Sequence, residues 1–373
     1  ALSESLAGTV SRTEQTLVLS AFPTAPAVIC TVGVSFTYSS AYKTAPCEFL
    51  VFDNLLIYGS HVYPAIDHGA WSGFLKLLDE THSQSGPLLG LSFSGYYIAD
   101  TVAALDNVTQ DINDFLQKGI SIIGITDVLI PADAASQQKV YTSVTTFFKK
   151  MDAPTGHQVG QTRKAEYFCA FKFVGTTPFD GLHNLINTVF TGEKAFLTGH
   201  VTNWQSPLDQ NNCTVQPTSS WDGTGDVQLK AVAGAFAKVQ APIHHLGSSF
   251  SMAVYHHIVK DNVDATTPAF GDNCLFRTAV GYEMWCTASI DSTGIGGSMM
   301  VRAHFPANKS IGSYETGESI TRKITKLKSE AKITYALDVL LTDIQFDVID
   351  DEKVCTSKTF NRVKAVQDFV HQQ

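Results

Sequence analysis

The chain has 373 residues, of which 26 Lys and Arg and 35 Asp and Glu carry a formal charge, or 16% of the chain against roughly 25% in an average soluble domain. Its net charge of −9 argues against a simple binder of nucleic acid or of anionic membranes. The composition also excludes a low-complexity or disordered chain, and no stretch is apolar enough to span a bilayer. The charge is unevenly distributed, because no residue from Thr16 to Tyr42 carries one.

The first half of the chain alternates predicted strands and helices in a βαβα-like order. Runs of β-branched residues predict the strands, and apolar residues at helical spacing predict the helices. Gly119 ends one helix and Pro131 stops one strand. The predicted elements are a strand at 27–36, an apolar segment of ambiguous type at 48–58, helices at 70–82 and 101–119, a strand at 120–130, a helix at 133–152, a strand at 164–174 and a helix at 179–196.

Residues 202–225 interrupt this pattern with two prolines, many small polar residues and two tryptophans, Trp204 and Trp221. An exposed tryptophan favours a contact loop, so both are candidate interface residues. The alternative is a structured loop whose indoles pack into their own lobe. We therefore expect an N-terminal lobe at 1–201, a polar surface loop or boundary at 202–225 and a C-terminal lobe at 226–373.

The C-terminal lobe carries both helical and alternating patterns. Its predicted elements are helices at 226–240 and 248–260, strands at 275–289 and 297–305, a charged helix at 320–331, strands at 333–341 and 344–348, and a helix at 360–371. Together, the elements predict an α+β, helix-rich fold with a mixed or antiparallel sheet. Low charge and abundant aromatics further suggest a shell-type subunit that self-assembles, because subunit interfaces are poor in charge.

Seven scattered cysteines without a Cys-x-x-Cys pair are expected to be buried thiols of a reducing compartment, with a disulfide framework as the alternative. The adjacent pairs His244-His245 and His256-His257 lack the helical spacing of a zinc site. The acidic residues near Asp350 lack the glycine and spacing of a calcium loop, so a solvated strand end is favoured. The sequence thus predicts no metal and no cofactor.

One segment, Gly90-Leu-Ser92-Phe-Ser94, resembles the nucleophile elbow of the α/β-hydrolases, in which small residues flank a serine at a strand-to-helix turn. Ser94 replaces the usual second glycine. The resemblance implies a three-layer α/β fold and a serine hydrolase with Ser92 as nucleophile, followed in chain order by Asp127 and by His200, or alternatively His183. The alternative is an ordinary turn between a strand and a helix.

Positive charge accumulates only on the predicted helix at 320–331 and just after it. Five basic residues there could face nucleic acid or the carboxylates of a neighbouring subunit, and the alternative is a solvated helix face. No aromatic residue is interleaved, so base stacking is not indicated. These candidates are Arg322, Lys323, Lys326, Lys328 and Lys332.

The favoured function is structural and non-enzymatic: a viral capsid (coat) subunit that forms a large homo-oligomer. An acidic shell without a basic arm fits a double-stranded RNA virus, whose coat encloses viral RNA with weak, non-specific contacts and no membrane. The expected location is the virion or the host cytoplasm. The alternatives are the serine hydrolase and an adhesion or binding protein that uses the loop at 202–225.

Overall fold

The structure is a computed structural model. It describes residues 25–65, 67–81, 86–131, 133–152, 165–173, 182–183, 186, 194–200, 213–221, 228–239, 245–260, 263, 269–286, 288–293, 301–305, 309–349, 355 and 358–373. Its strands are β1 Val28–Val32, β2 Phe49–Tyr58, β3 His61–Pro64, β4 Leu88–Ser94, β5 Ile122–Ile130, β6 Glu166–Phe173, β7 Lys194–Thr198, β8 Leu246–Ser251, β9 Val254–Val259, β10 Cys274–Val280, β11 Ser289–Thr293, β12 Val301–Phe305, β13 Ser310–Tyr314 and β14 Asp338–Thr342. Its α-helices are α1 His68–Glu80, α2 Ile98–Ala104, α3 Thr109–Lys118, α4 Ala134–Asp152, α5 Leu229–Phe236, α6 Gly317–Ala331 and α7 Asn361–Val370.

Eight parallel strands close into a barrel in the order β1, β2, β4, β5, β6, β7, β8, β14. The barrel closes because β1 pairs in parallel with both β2 and β14, with Ile29 opposite Phe49 on one side and Leu340 on the other. β3 lies outside the barrel and forms an antiparallel hairpin with the last residues of β2. The predicted helix-rich α+β fold and its three-layer hydrolase-like alternative are therefore both wrong.

The physical reason for this error lies in the connections. Parallel neighbours cannot be joined by tight turns, so the chain crosses over through helices such as α1, α3 and α4. The predicted βαβα order around 120–152 agrees with β5 and α4. The strands predicted at 333–341 and 344–348 suggested a hairpin, whereas the structure has β14 followed by a short 3₁₀ helix at Ile344–Asp347.

The barrel interior is filled by apolar side chains, because strands covered on both faces have no solvated side. They form one cluster, separate from the larger core between barrel and helices, and comprise Ala27, Ile29, Phe49, Val51, Ile122, Phe168, Ala170, Phe196 and Leu340. Two of its large rings need neighbouring glycines. A Cβ at Gly124 would lie 2.0 Å from the Phe168 ring, and one at Gly247 would lie 2.6 Å from the Phe196 ring.

A second sheet of five antiparallel strands, in the order β10, β9, β13, β12, β11, is inserted between β8 and α6. Its first strand overturns a prediction, because the helix expected at 248–260 is instead the end of β8 and the whole of β9. The histidine pair His256-His257 consequently lies on a strand, where the two rings point to opposite faces. The inserted sheet packs beside the mouth of the barrel.

Two disulfides correct the expectation of reduced thiols. Cys30 is bonded to Cys47, which joins β1 to the segment before β2, and Cys213 is bonded to Cys274 at the start of β10. Within the described part of the chain, no helix is long and apolar enough to cross a membrane. Barrel strands come both before and after residues 202–225 in the sequence, and most of these residues lie outside the described part of the chain.

Candidate active site

A pocket of about 370 Å³ opens at the carboxyl ends of the barrel strands, the end at which barrel enzymes place their catalytic groups. The ends of seven barrel strands and one strand of the inserted sheet contribute to its lining. Four lining residues, Ser35, Asn54, Asp127 and Asp343, have φ between 55° and 67°. Such left-handed backbone is uncommon outside glycine and concentrates at functional sites. The pocket's position and its backbone geometry are therefore both typical of a functional site.

Asp53 lies on β2 where the pairing with β4 is interrupted by a bulge between Phe52 and Leu55. Its Oδ1 accepts hydrogen bonds from Ser92 Oγ at 2.6 Å, from the Asn54 amide at 2.7 Å and from the Thr126 hydroxyl. Burial raises the pKa of Asp53, while these three donors oppose the rise because they stabilise the charged form. The three donors therefore reduce the rise in the pKa of Asp53, which burial still dominates.

Asp127 lies at the matching position of β5, where a second bulge between Ile125 and Val128 interrupts the pairing with β6. A bulge changes the direction of a side chain, and here it places the carboxyl group in the pocket lining. Burial and the nearby charge of Asp53 raise the pKa of Asp127 to about 7, against the opposing charge of Lys172. Asp127 is therefore a carboxyl group that can hold a proton at neutral pH.

Asp343 follows β14 directly and completes a group of three carboxylates from strands distant in sequence. Its Oδ2 accepts hydrogen bonds from Ser251 Oγ at 2.9 Å and from Thr342 Oγ1 at 3.3 Å. Burial raises the pKa of Asp343 to about 6, and the charge of Asp53 adds to the rise. Burial therefore raises the pKa of both Asp127 and Asp343, and hydrogen-bond donors oppose the rise at Asp343 but not at Asp127.

His200 follows β7 and also lines the pocket. Its Nδ1 lies 2.8 Å from Ser249 Oγ, and its Nε2 lies 3.2 Å from Thr342 Oγ1. Burial lowers the pKa of His200 to about 3, so the ring is neutral at neutral pH. A neutral imidazole held by two hydroxyls contributes hydrogen bonds to the pocket wall but no positive charge.

Arg277 reaches the pocket from β10 of the inserted sheet. Its Nη1 donates a hydrogen bond to Gln216 Oε1 at 2.8 Å, and its guanidinium carbon lies 5.8 Å from the centre of the Tyr255 ring. Because His200 is neutral, Arg277 is the permanent cation among the residues that line the pocket. Among the residues that the structure describes, those of the pocket included, no group of three His, Cys, Asp or Glu side chains is placed to hold a metal ion.

The three residues of the predicted triad all lie at this end of the barrel, but their contacts differ from those of a triad. Ser92 is fully buried and donates its proton to Asp53, not to a histidine. Both ring nitrogens of His200 contact hydroxyls of other residues. Of the predicted three, Asp127 and His200 line the pocket directly, and Ser92 supports it from below.

The predicted nucleic-acid-facing residues lie on α6 and at its end, with varied partners. Lys323 is completely buried against Glu315, at 2.6 Å, instead of facing outward. Arg322 pairs with Glu318, Lys328 contacts Gln373, and Lys332 caps the helix in a left-handed conformation. Contact of the other four residues with nucleic acid stays a prediction.

The two interface-loop candidates have different outcomes. Trp221 is only 4% exposed, and Lys326 Nζ lies 4.2 Å above its ring, so this indole is packed inside the protein. Trp221 therefore fits the alternative interpretation of this segment, a structured loop whose indoles pack into their own lobe. Trp204 lies outside the described residues.

No protein-family model matches the chain, and no curated protein matches it either. Solved structures do. Human YKL-39, a pseudo-chitinase with retained chitooligosaccharide binding properties, shares 13% identity at a TM-score of 0.62, over 93% of this chain and 100% of that chain. A mutant of the Ostrinia furnacalis Group II chitinase catalytic domain 2, in complex with (NAG)5, shares 10% identity at a TM-score of 0.66, over 93% and 97%. Class V chitinase from Nicotiana tobaccum shares 9% identity at a TM-score of 0.63, over 92% and 99%.

These similarities show a shared barrel fold, and they overturn the predicted function. The chain is similar in fold to chitinases and chitinase-like proteins, so a capsid subunit of a double-stranded RNA virus and a serine hydrolase using Ser92 are both wrong. The prediction of a non-enzymatic protein is corrected as well, because the structures that share this fold include chitinases, among them an immunomodulatory active chitinase from Trichuris suis. The low charge of the chain suggested subunit interfaces. The charge-free region at 16–42 instead includes β1, a barrel strand that is buried along its whole length inside the protein.

Three charged residues of the pocket, Asp53, Asp343 and Arg277, were not predicted from the sequence. A signal existed for the two aspartates, because each follows an apolar strand run, as Asp127 does. In a parallel barrel the carboxyl ends of all strands meet at one mouth, so such residues converge. Arg277 had no comparable signal, because its place depends on how the inserted sheet packs against the barrel.

Proposed function

We propose that the protein is a glycoside hydrolase that binds an oligosaccharide of N-acetylglucosamine in the pocket and cleaves a glycosidic bond. The observation that supports this is a protonatable carboxyl group, Asp127, beside the hydrogen-bonded carboxylate of Asp53 at the mouth of the barrel. The matched structures of this fold include a chitinase in complex with (NAG)5 and a pseudo-chitinase that binds chitooligosaccharides, which supports the choice of substrate.

In this proposal Asp127 is the general acid. It donates its proton to the glycosidic oxygen as the bond to the sugar carbon breaks, which removes the need for an alkoxide leaving group. Positive charge then develops on the sugar ring in an oxocarbenium-ion-like transition state. The carboxylates of Asp53 and Asp343 supply negative charge that stabilises it. A water oxygen then bonds to the sugar carbon, and the proton that this water loses goes to the Asp127 carboxylate, which restores the acid.

The hydroxyls around the acids have a positioning role. Ser92 and Thr126 both donate to Oδ1 of Asp53 and hold the carboxylate in one orientation. The negative charge that they stabilise on Asp53 is in turn one cause of the raised pKa of Asp127. The geometry therefore couples the proton of the acid to the hydrogen bonds of its neighbour.

The test compares the protein with its Asp127→Asn variant on the tetrasaccharide of N-acetylglucosamine. We expect the variant to lose about 10²–10⁴-fold in kcat, the usual contribution of a general acid, with the Kd of the sugar little changed. Product release is followed by chromatography and binding by calorimetry. Wild-type activity should fall as the pH rises through about 7, because Asp127 loses its proton there.

Asp79→Asn is the matched control, because Asp79 is exposed on α1 and pairs with Lys118 far from the pocket lining. If the wild-type protein binds no N-acetylglucosamine oligomer, the proposed substrate is wrong. If it binds the oligomer and releases no product, or if Asp127→Asn cleaves as fast as wild type, the proposed chemistry is wrong.

A further inference from the structure

Arg277 brings a permanent positive charge to a pocket that is otherwise acidic. Three aspartates, Asp53, Asp127 and Asp343, line it from the barrel, and Arg277 lines it from β10. The residue is half-buried and therefore partly open to the pocket. Among the described residues that line the pocket, Arg277 carries the one positive charge, and Lys172 of β6 acts on Asp127 from outside that lining.

The arginine is held in place by several contacts. Gln216, which accepts the hydrogen bond from Arg277, is itself fixed at both ends of its backbone: its amide contacts His257 Nε2 at 3.3 Å, and its carbonyl accepts from Ser313 Oγ at 2.9 Å. The guanidinium also packs over the buried ring of Tyr255. A side chain held in this way loses little entropy when it binds a ligand.

The arginine and two of the acids share one buried neighbour. Burial raises the pKa of Tyr255, the negative charges of Asp343 and Asp127 raise it further, and the charge of Arg277 lowers it. All three charged groups therefore lie close enough to Tyr255 to act on its hydroxyl. A sugar bound in this pocket would therefore meet a guanidinium as well as carboxyl groups in the lining.

We propose that Arg277 determines which amino sugar the pocket accepts: it donates a hydrogen bond to the carbonyl oxygen of an N-acyl group, and it excludes the ammonium group of the same sugar without the acyl group. This inference rests on the proposed function, because it concerns the substrate of the same pocket. It adds a residue of the inserted sheet, outside the barrel, to the binding machinery.

The reason is a balance of charges. Ionised carboxylates alone would attract a cationic sugar. A guanidinium in the lining of the same pocket repels an ammonium group, and it donates to a neutral carbonyl oxygen. Specificity against the cationic sugar is then achieved by repulsion as well as by a contact with the correct one.

The experiment measures binding of two tetrasaccharides, one of N-acetylglucosamine and one of glucosamine, by calorimetry at about pH 7. It is done in the Asp127→Asn background so that neither is cleaved. We expect the background protein to prefer the N-acetylated oligomer by at least about tenfold, the ratio that 1.4 kcal/mol produces. Adding Arg277→Gln should weaken binding of the N-acetylated oligomer about tenfold and remove or invert the preference.

Arg277→Lys separates the charge from the hydrogen-bonding geometry. It should still reject the glucosamine oligomer, because the positive charge remains, yet bind the N-acetylated oligomer more weakly than arginine does. Arg302→Gln, on β12 of the same sheet and outside the pocket lining, is the matched control and should change neither affinity. Thermal unfolding checks that each variant is folded. If Arg277→Gln does not fold, the lysine variant carries the test.

The outcomes separate this inference from the proposed function. If the protein prefers the N-acetylated oligomer and Arg277→Gln keeps that preference, Arg277 is not the selecting residue while the proposed substrate stands. A background protein that prefers glucosamine also overturns the inference and leaves oligosaccharide binding intact. Binding of neither oligomer overturns both proposals.

Discussion

At the scale of single residues, the environment of each aspartate decides its chemistry. Asp53, Asp127 and Asp343 are the same side chain at the ends of three barrel strands, yet they differ in hydrogen-bond donors. Asp53 receives three donors on one oxygen and Asp343 receives two. No hydrogen bond opposes the rise in the pKa of Asp127. Burial and the charge of Asp53 therefore raise it to about 7, whereas the pKa of Asp343 rises to about 6. That difference is what makes it the candidate acid.

The raised pKa of Asp127 predicts how stability depends on pH. In the unfolded chain an aspartate titrates near about 3.9, and in the folded protein Asp127 titrates at about 7, so the folded state binds the proton more tightly. The stability that this proton contributes is present in full below about pH 4 and is lost as the pH rises through about 7. The Asp127→Asn variant does not lose this stability, because an asparagine side chain does not titrate.

We therefore expect Asp127→Asn to gain stability relative to wild type between about pH 4 and pH 8, by up to about 4 kcal/mol. Urea unfolding at both pH values measures the difference. The variant Asp79→Asn, whose parent side chain is exposed, should follow the wild-type curve. Equal pH dependence in Asp127→Asn and wild type would contradict the prediction.

At the scale of elements, the barrel depends on small residues where strands carry large rings. Phe168 on β6 occupies the space beside Gly124 on β5, so a methyl group there overlaps the ring in the closed interior of the barrel. Overpacking of this kind cannot be relieved by moving outward, because strands surround it on all sides. The pairing of these two residues is therefore part of what fixes the register of β5 against β6.

We expect Gly124→Ala to lower the free energy of unfolding by about 1–3 kcal/mol. Gly234→Ala is the matched control, because Gly234 is exposed on α5 and a Cβ there meets nothing within 4 Å. That change should raise stability by about 0.5–1 kcal/mol, the difference in helix propensity. Urea unfolding of both variants decides the matter, and destabilisation by both or by neither would argue against the packing account.

At the scale of the whole molecule, two disulfides tie the front of the barrel and the inserted sheet. Cys30–Cys47 closes a short loop between β1 and β2, and Cys213–Cys274 anchors the segment before the inserted sheet to β10. Disulfides form in oxidising compartments, and the expected location, the virion or the host cytoplasm, stays a prediction. The predicted large homo-oligomer also stays a prediction, and native mass spectrometry would measure it.

Reduction of the disulfides should lower the melting temperature without abolishing the barrel. In the loop-entropy account, closing loops of 17 and 61 residues stabilises by about 3 and about 4 kcal/mol. Calorimetry with and without a phosphine reductant measures the change in Tm, and paired Cys→Ser variants assign it to each bond. A Tm that does not respond to the reductant, after mass spectrometry confirms reduction, would contradict the contribution.

The sequence by itself determined many of the local elements. Pro131 ends β5 as expected, Gly119 caps α3 with a left-handed φ of 111°, and α4 spans nearly the predicted range. These features depend on backbone geometry within a few residues, so local pattern is sufficient to predict them. The helix expected at 248–260 failed because a short apolar run suits a strand as well as a helix.

Only the tertiary structure decided the closure of the barrel and the site at its mouth. Closure rests on the pairing of β1 with β14, about three hundred positions apart, which no local pattern encodes. Asp127 was identified from the sequence, but as the acid of a serine triad. Folding brings Asp53, Asp343 and Arg277 into one pocket with it, and its pKa depends on neighbours in space and not on neighbours in the chain.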